Sequence, residues 1–191
     1  MFNIKGDLKP ITKHLSKVQK KQIPFASANA INETLKQIVK AEQAQMPKKL
    51  DRPTPFTTKA FRIKYAKKHM LHGEVVIKPV QWEYLKYQIE GGRRTGKIGV
   101  PTSNAKLNKY GNIPGRRKGL IRNKKQFMND RGVWERYGGK RNPKAKLIVA
   151  FEPSVSYRKR FPFYKIADGV ARSRFQKNFS RSIKRAIATA K

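Results

Sequence analysis

The residues most able to do chemistry are the three histidines, His14, His69 and His72. The run His69–Met70–Leu71–His72 sets two imidazoles at i and i+3, with Glu74 close by. On a helix that spacing would put both rings on one face, as a metal site requires. The surrounding residues read as strand and turn, however, and no third or fourth ligand follows at helical spacing. The histidines are therefore expected to be solvated, and no metal is assigned. Glu83 and Glu90 would share a face if helical, yet acid–base catalysis also needs a pocket. The segment Gly91–Lys97, "GGRRTGK", lacks the Gly-x4-Gly-Lys-Ser/Thr spacing of a phosphate loop. No catalytic residue and no cofactor is assigned, and the expectation is a protein that is not an enzyme. A metal-dependent nuclease using His69, His72 and Glu74 is the rival from that class.

The cations offer a different chemistry. Forty-six Lys and Arg face eleven Asp and Glu, a formal net charge of +35. Such a chain repels itself and calls for a polyanion or an acidic partner. Residues 91–160 carry 20 basic and 3 acidic side chains, a net +17. Within them Arg93, Arg94, Lys97, Arg116, Arg117, Lys118, Arg122, Lys124 and Lys125 form clusters flanked by glycines. Flexible, glycine-spaced cations follow a phosphate backbone without reading bases, because neutralising phosphates releases counterions. The plainer account is a solvated arm that aids solubility. Tyr110 and Phe127 are the sparse aromatics of this segment, so base stacking is not its obvious mode. Ser156–Phe163, "SYRKRFPF", is either a loop entering a helix or a partner contact.

Other classes fall away on composition. No run of about 18 apolar residues is present, so no transmembrane span and no membrane partner are expected. The opening "MFNIKGDLKP" lacks a signal-peptide core. The absence of cysteine fits a reducing compartment.

The elements that position these residues follow from periodicity. Leu8, Ile11, Leu15 and Val18 are spaced for one helix face. Pro24 interrupts, and a helix is predicted from about 24 to 45 on the stripe Ala28, Ile31, Leu35, Ile38 and Val39. Phe61, Ile63 and Tyr65 alternate with Arg62 and Lys64 as a half-buried strand. Glu74–Lys78 is predicted as a second strand, with His72–Gly73 as the turn. Trp82, Leu85 and Ile89 fit a short helix with Gly91 at its C′ position. Residues 91–125, rich in Gly and Pro, are expected as a long arm, disordered unless a partner orders it. Gly132–Gly139 and Lys146–Pro153 read as strands joined by a basic turn. The tail is a helix with Ala171, Phe175, Phe179, Ile183 and Ile187 recurring every four residues. Its phenylalanine stripe is expected to be core packing or a subunit interface.

The fold class is thus α+β: an N-terminal helix, a small mostly antiparallel sheet, a long basic arm and a C-terminal helix. The expectation is a single domain over 1–191 with 91–125 inserted as the arm. Glu90 stands at its root, positioned to pair with a cation of its own body or of a neighbouring subunit.

At this point the order of elements resembles a known family. Ile23–Gln43, with its step Ala28–Asn29–Ala30–Ile31–Asn32, is similar to the opening of the phage minor tail protein Z family. Gly132–Gly139 with the preceding Arg131 resembles that family's tryptophan strand, although Trp134 is followed by Glu135–Arg136 and the arginine spacing departs. The closing residues from Pro162 resemble its terminal helix, and "YLKYQIEGG" is similar to the seam of tail-completion proteins at phage necks. The resemblance implies a structural virion protein, assembled in the host cytoplasm, that completes the head-proximal end of the tail. It implies a homo-oligomeric ring near the DNA channel, with Glu90, Phe175, Phe179 and Ile183 as interface candidates. Its partners would be the tail terminator, tail tube and tape measure proteins, with genomic DNA in the channel. A ribosomal or other rRNA-binding protein is the alternative reading.

Overall fold

Alternation of apolar and charged residues builds the first sheet. The structure is a computed structural model and describes residues 1–5, 17–114, 121 and 124–189. Strands β1 (Phe2–Lys5), β2 (Phe61–Lys64) and β3 (His72–Ile77) pair antiparallel in the order β1-β3-β2. Phe61 lies opposite Ile77, and Ile63 opposite Val75, which puts the apolar side chains on one face. Glu74 and Lys64 share the other face. His72 and Gly73 belong to β3 itself, where a turn was expected. Gly73 allows this: a Cβ there would stand 2.6 Å from Leu35 Cδ1, so its bare backbone packs directly on the helix above.

That helix, α1 (Lys17–Lys49), is longer than predicted at both ends and carries Pro24 and Pro47 inside it. Ile23, Ala26, Ser27 and Ala28 are all buried around Pro24, so tertiary packing carries the helix past a residue that disfavours its interior. Ile31, Leu35 and Ile38 are fully buried as the stripe requires. Of the earlier face, Leu8, Ile11 and Leu15 lie outside the described residues. The short α2 (Pro55–Thr58) is capped by Thr54, whose hydroxyl accepts from the Thr57 amide. Helix α3 (Pro79–Ile89) buries Leu85 and Ile89. The final helix, α4 (Phe163–Ala188), buries Phe163 and Ala167 in the same core and Ala186 near its end.

The buried face of α4 coincides only in part with the stripe the spacing names: Ala171 and Phe175 pack against the core, but the fully buried positions lie elsewhere. Phe175, Phe179 and Ile183 are half-buried, and Ile187 is 48% exposed. A strict four-residue repeat drifts by roughly 40° per step on a helix of 3.6 residues per turn, so it winds away from a straight contact line. Asn178 sits on that line instead. Its amide nitrogen donates to Thr34 Oγ1 at 3.0 Å and Gln37 Oε1 at 3.1 Å, tying α4 to α1 through buried polar groups.

A second polar clamp fixes the β2–β3 connection. Asn32 Nδ2 donates to the Ala66 carbonyl at 3.0 Å, and the Ala66 amide donates to Asn32 Oδ1 at 2.8 Å. One side chain thus satisfies both backbone groups of a buried residue. Replacing Asn32 with alanine orphans both, with an expected loss of about 2 kcal/mol. Urea titration checks this; an unchanged midpoint would show that water or a neighbour replaces the amide.

The chain divides into two compact units, one of Met1–Ile89 with Arg160–Lys191 and one of Glu90–Lys159. The second unit is an antiparallel sheet of β4 (Gly92–Pro101), β5 (Gln126–Asn129), β6 (Gly132–Tyr137) and β7 (Lys144–Tyr157) in the order β4-β7-β6-β5. Residues 92–101, expected as the start of a disordered arm, are a ten-residue strand paired along β7. An edge strand needs its backbone more than its side chains, and charged residues are what an edge tolerates. That is how so polar a stretch enters a sheet. The chain beyond it is tied down as well: the Thr102 hydroxyl and the Asn104 amide both donate to the Leu147 carbonyl, at 2.6 and 3.1 Å.

Candidate nucleic-acid interface

The histidine cluster resolves into an ordinary polar contact. His72 Nε2 and Glu74 Oε1 share a hydrogen bond at 2.9 Å, and Lys64 Nζ lies 2.9 Å from Glu74 Oε2. The His72 hydrogen bond first, and Lys64 after it, hold the Glu74 carboxyl below its usual range. His69 is exposed and takes no part, and His14 lies outside the described residues. Among the described residues, no three His, Asp or Glu side chains gather as a metal-binding group.

The predicted cations fall in different places. Arg93 and Arg94 lie opposite Ser156 and Val155, at the end of β7 where the second unit begins and ends in sequence. Arg93 Nη2 donates to Ser154 Oγ at 2.6 Å. Lys97 reaches over the Phe151 ring, 4.5 Å from its centroid, which is the mode open to a cation on an edge strand. Lys124 and Lys125 lead into β5, and the Lys125 carbonyl accepts from the Arg136 amide at 2.8 Å. Arg136 in turn is opposite Ala145 near the start of β7. Ten residues of strand therefore separate the level of Lys125 from that of Arg94, about 30 Å at the usual rise. The sheet does not bring the two sets together. Arg116, Arg117, Lys118 and Arg122 lie outside the described residues.

What the sheet does bring together is a set that charge counting along the chain missed. The β6–β7 connection carries Lys140 and Arg141, and β7 opens with Lys144. These join Lys124 and Arg136 at one end of the sheet, and all five are exposed. The signal was present in the sequence as the basic turn between two strands; only strand register shows that Lys124 arrives beside it. Gly138 holds φ at +88°, a left-handed value, and the Asn142 amide donates to the Gly139 carbonyl at 3.1 Å. The turn is therefore a defined structure from which Lys140 and Arg141 project.

Two aromatic rings lie at the same end, each with a cation near it, and Tyr137 stays 48% exposed. The Arg136 guanidinium sits 4.7 Å from the Phe127 centroid, and Lys146 Nζ sits 6.0 Å from that of Tyr137. Lys146 also pairs with Glu135 at 3.1 Å, which partly neutralises it.

The seam before this unit behaves as its residues require. Gly91, two residues past α3, holds φ at +75°. The Gln88 carbonyl, near the end of α3, accepts from the amides of Arg160 and Phe161 at 2.8 and 2.9 Å. Glu90 is exposed.

Fold and site together define an α+β protein whose second unit is a small, basic antiparallel sheet. No family model matches the chain, and no curated protein and no solved structure matches it. No helix among the described residues is long and apolar enough to cross a membrane.

Proposed function

We propose that the chain is a structural protein of a tailed-phage virion, completing the head-proximal end of the tail as a subunit of a ring near the DNA channel. The observation that carries this reading is the net +17 of residues 91–160, part of it presented as exposed cations on the strands and the β6–β7 turn of a folded sheet. A ring lining a genome channel needs positive charge presented by a scaffold, since phosphate contacts supply affinity without sequence. A ring subunit also gains stability from its neighbours and needs less of its own. The order of elements and the step from Ala28 to Asn32 support the same reading. Glu90, Phe175, Phe179 and Ile183 are the proposed contacts between subunits. The Phe175 and Phe179 rings stack at 6.0 Å and are half-buried within the chain, leaving part of each for a neighbour.

The test is mass spectrometry of purified virions combined with immunogold labelling. The chain is expected in intact particles, labelled where head meets tail, and its loss is expected to leave unjoined heads and tails. Absence from virions together with co-sedimentation with ribosomal subunits would overturn the reading and establish an rRNA-binding role.

A further inference from the structure

We infer that the open end of the β6–β7 hairpin is a contact for the phosphate backbone of duplex DNA, made through Lys124, Arg136, Lys140, Arg141 and Lys144. This names the partner surface within the proposed function and rests on that reading for its setting.

The geometry favours a duplex. Past Arg136 and Ala145 only β6 and β7 continue, as the pair Tyr137–Lys144 and the turn it closes, because β5 begins opposite Glu135 and β4 ends opposite Val149; the end is a narrow two-stranded hairpin tip. A two-stranded ribbon is an element the major groove, about 12 Å wide, admits. Successive residues of a strand point to opposite faces, so Arg136 and Lys144 emerge on opposite sides of the ribbon, with Lys140 and Arg141 at its tip. A ribbon seated in a groove has a phosphate strand on each side, and this one carries a cation toward each.

The chemistry favours phosphate over the other acidic partners. Protein interfaces are depleted in lysine and built around apolar anchors, whereas this end presents three lysines and two arginines. Stacking of single-stranded bases uses successive open aromatic faces, and here Phe127 is half-buried with Arg136 on its ring, which leaves Tyr137 alone without a second ring to extend the stack. The turn is also preorganised by Gly138 and the Asn142–Gly139 hydrogen bond, so little ordering cost falls on binding.

The experiment measures binding of the full chain to a duplex of about 30 base pairs and arbitrary sequence by fluorescence anisotropy, across a salt series. The compared variants are Lys140→Gln/Arg141→Gln/Lys144→Gln and, as a control of equal charge, Lys40→Gln/Lys67→Gln/Lys68→Gln in the first unit. Amide-exchange protection across β6 and β7 confirms that the sheet is intact in both. The hairpin variant is expected to flatten the slope of log K against log salt by about 2 to 3, at roughly 0.9 per phosphate contact, and the control by far less. Equal losses in both variants would overturn the inference in favour of diffuse attraction. So would tighter binding to a single strand that Tyr137→Ala abolishes, or displacement by an acidic peptide without duplex binding. A chain absent from virions that still shows hairpin-dependent slopes sinks the tail assignment alone. A virion protein without that dependence sinks this inference alone.

Discussion

Replacing Glu42 with glutamine is expected to stabilise the chain at neutral and alkaline pH and to remove most of the pH dependence of its stability between about 5 and 8. Glu42 sits on the buried face of α1, one turn from Ile38 and Met46, with none of its surface exposed. Neither carboxyl oxygen has a hydrogen-bond partner. Burial pushes its pKa from 4.5 up to about 8, because an apolar surround disfavours the charged form. The direction of the pH effect follows. Below 4.5 the carboxyl is neutral in both folded and unfolded chains and costs nothing extra. As pH rises from there, the unfolded chain gives up the proton and the folded chain keeps it, so stability falls steadily. Above about 8 both states are ionised and the loss is complete. The whole loss is roughly 5 kcal/mol at 1.36 kcal/mol per pKa unit, which for a chain of this size corresponds to about 10–20 °C in Tm. Glu42→Gln keeps the shape and cannot ionise, so its Tm is expected to stay level where that of the parent declines. Glu42→Leu, which also removes the orphaned polar atoms, is expected to be more stable at every pH. Thermal melts of the three proteins at pH 5, 6.5 and about 8 decide the matter. A parent curve as flat as that of the glutamine variant would mean that the Glu42 carboxyl is partnered in solution.

Glu42 also marks where reading the sequence stops. The stripe from Ala28 to Ile38 is legible because four apolar residues at helical spacing have one physical solution. Nothing in that pattern indicates that the next position on the same face is an acid buried without a partner; by type alone Glu42 reads as a surface residue. Asn32 is the opposite case. It stands out as part of a short motif, but its task, holding both backbone groups of Ala66, depends on a residue 34 positions away. The C-terminal helix is legible as an element, and its stripe in part as core packing, since Ala171 and Phe175 lie half-buried against the core. Its four-residue stripe is plain in the sequence, yet the drift of that repeat against 3.6 residues per turn moves the contact line to Phe163, Ala167, Asn178 and Ala186.

The basic segment shows the same limit at the level of the site. Counting charge along the chain locates the excess correctly in 91–160, but it weights residues by nearness in sequence. A sheet weights them by register. Arg93 and Lys124, counted as one arm, lie at opposite ends of the second unit, while Lys124 and Lys144, twenty residues apart in sequence, meet at one. Glycine content misled for a related reason. Gly92, Gly96 and Gly99 look like the punctuation of a loop, yet an edge strand is made by its backbone and accepts them along with a bulge between Thr95 and Ile98.

One glycine of that unit is expected to tolerate no side chain at all. At Gly132, where β5 turns into β6, a Cβ would fall inside the contact distance of the Val149 carbonyl oxygen and 2.8 Å from Leu147 Cδ1. The obstacle is backbone of the partner strand, so relief requires β6 and β7 to separate. The same turn holds Asn129, whose Oδ1 accepts from the amides of Arg131 and Gly132 and from the Trp134 indole at 3.0–3.1 Å, and a shift of Gly132 breaks that set together. The unit has little to offset such a loss: among the described residues its buried apolar side chains are Val133 and Val149. Gly132→Ala is therefore expected to cost at least about 3 kcal/mol, with loss of amide-exchange protection across β6 and β7. Because these strands set the register that gathers Lys124, Arg136 and Lys144, the salt slope of duplex binding should flatten with it. Gly169→Ala provides the contrast. Gly169 lies inside α4 with nothing within 4 Å of an added Cβ, and alanine there is expected to stabilise by about 0.5–1 kcal/mol. Exchange protection of β6 and β7 that survives Gly132→Ala would show that the two strands stand further apart than this packing requires, and the hairpin end would then lose the fixed register on which its cation cluster depends.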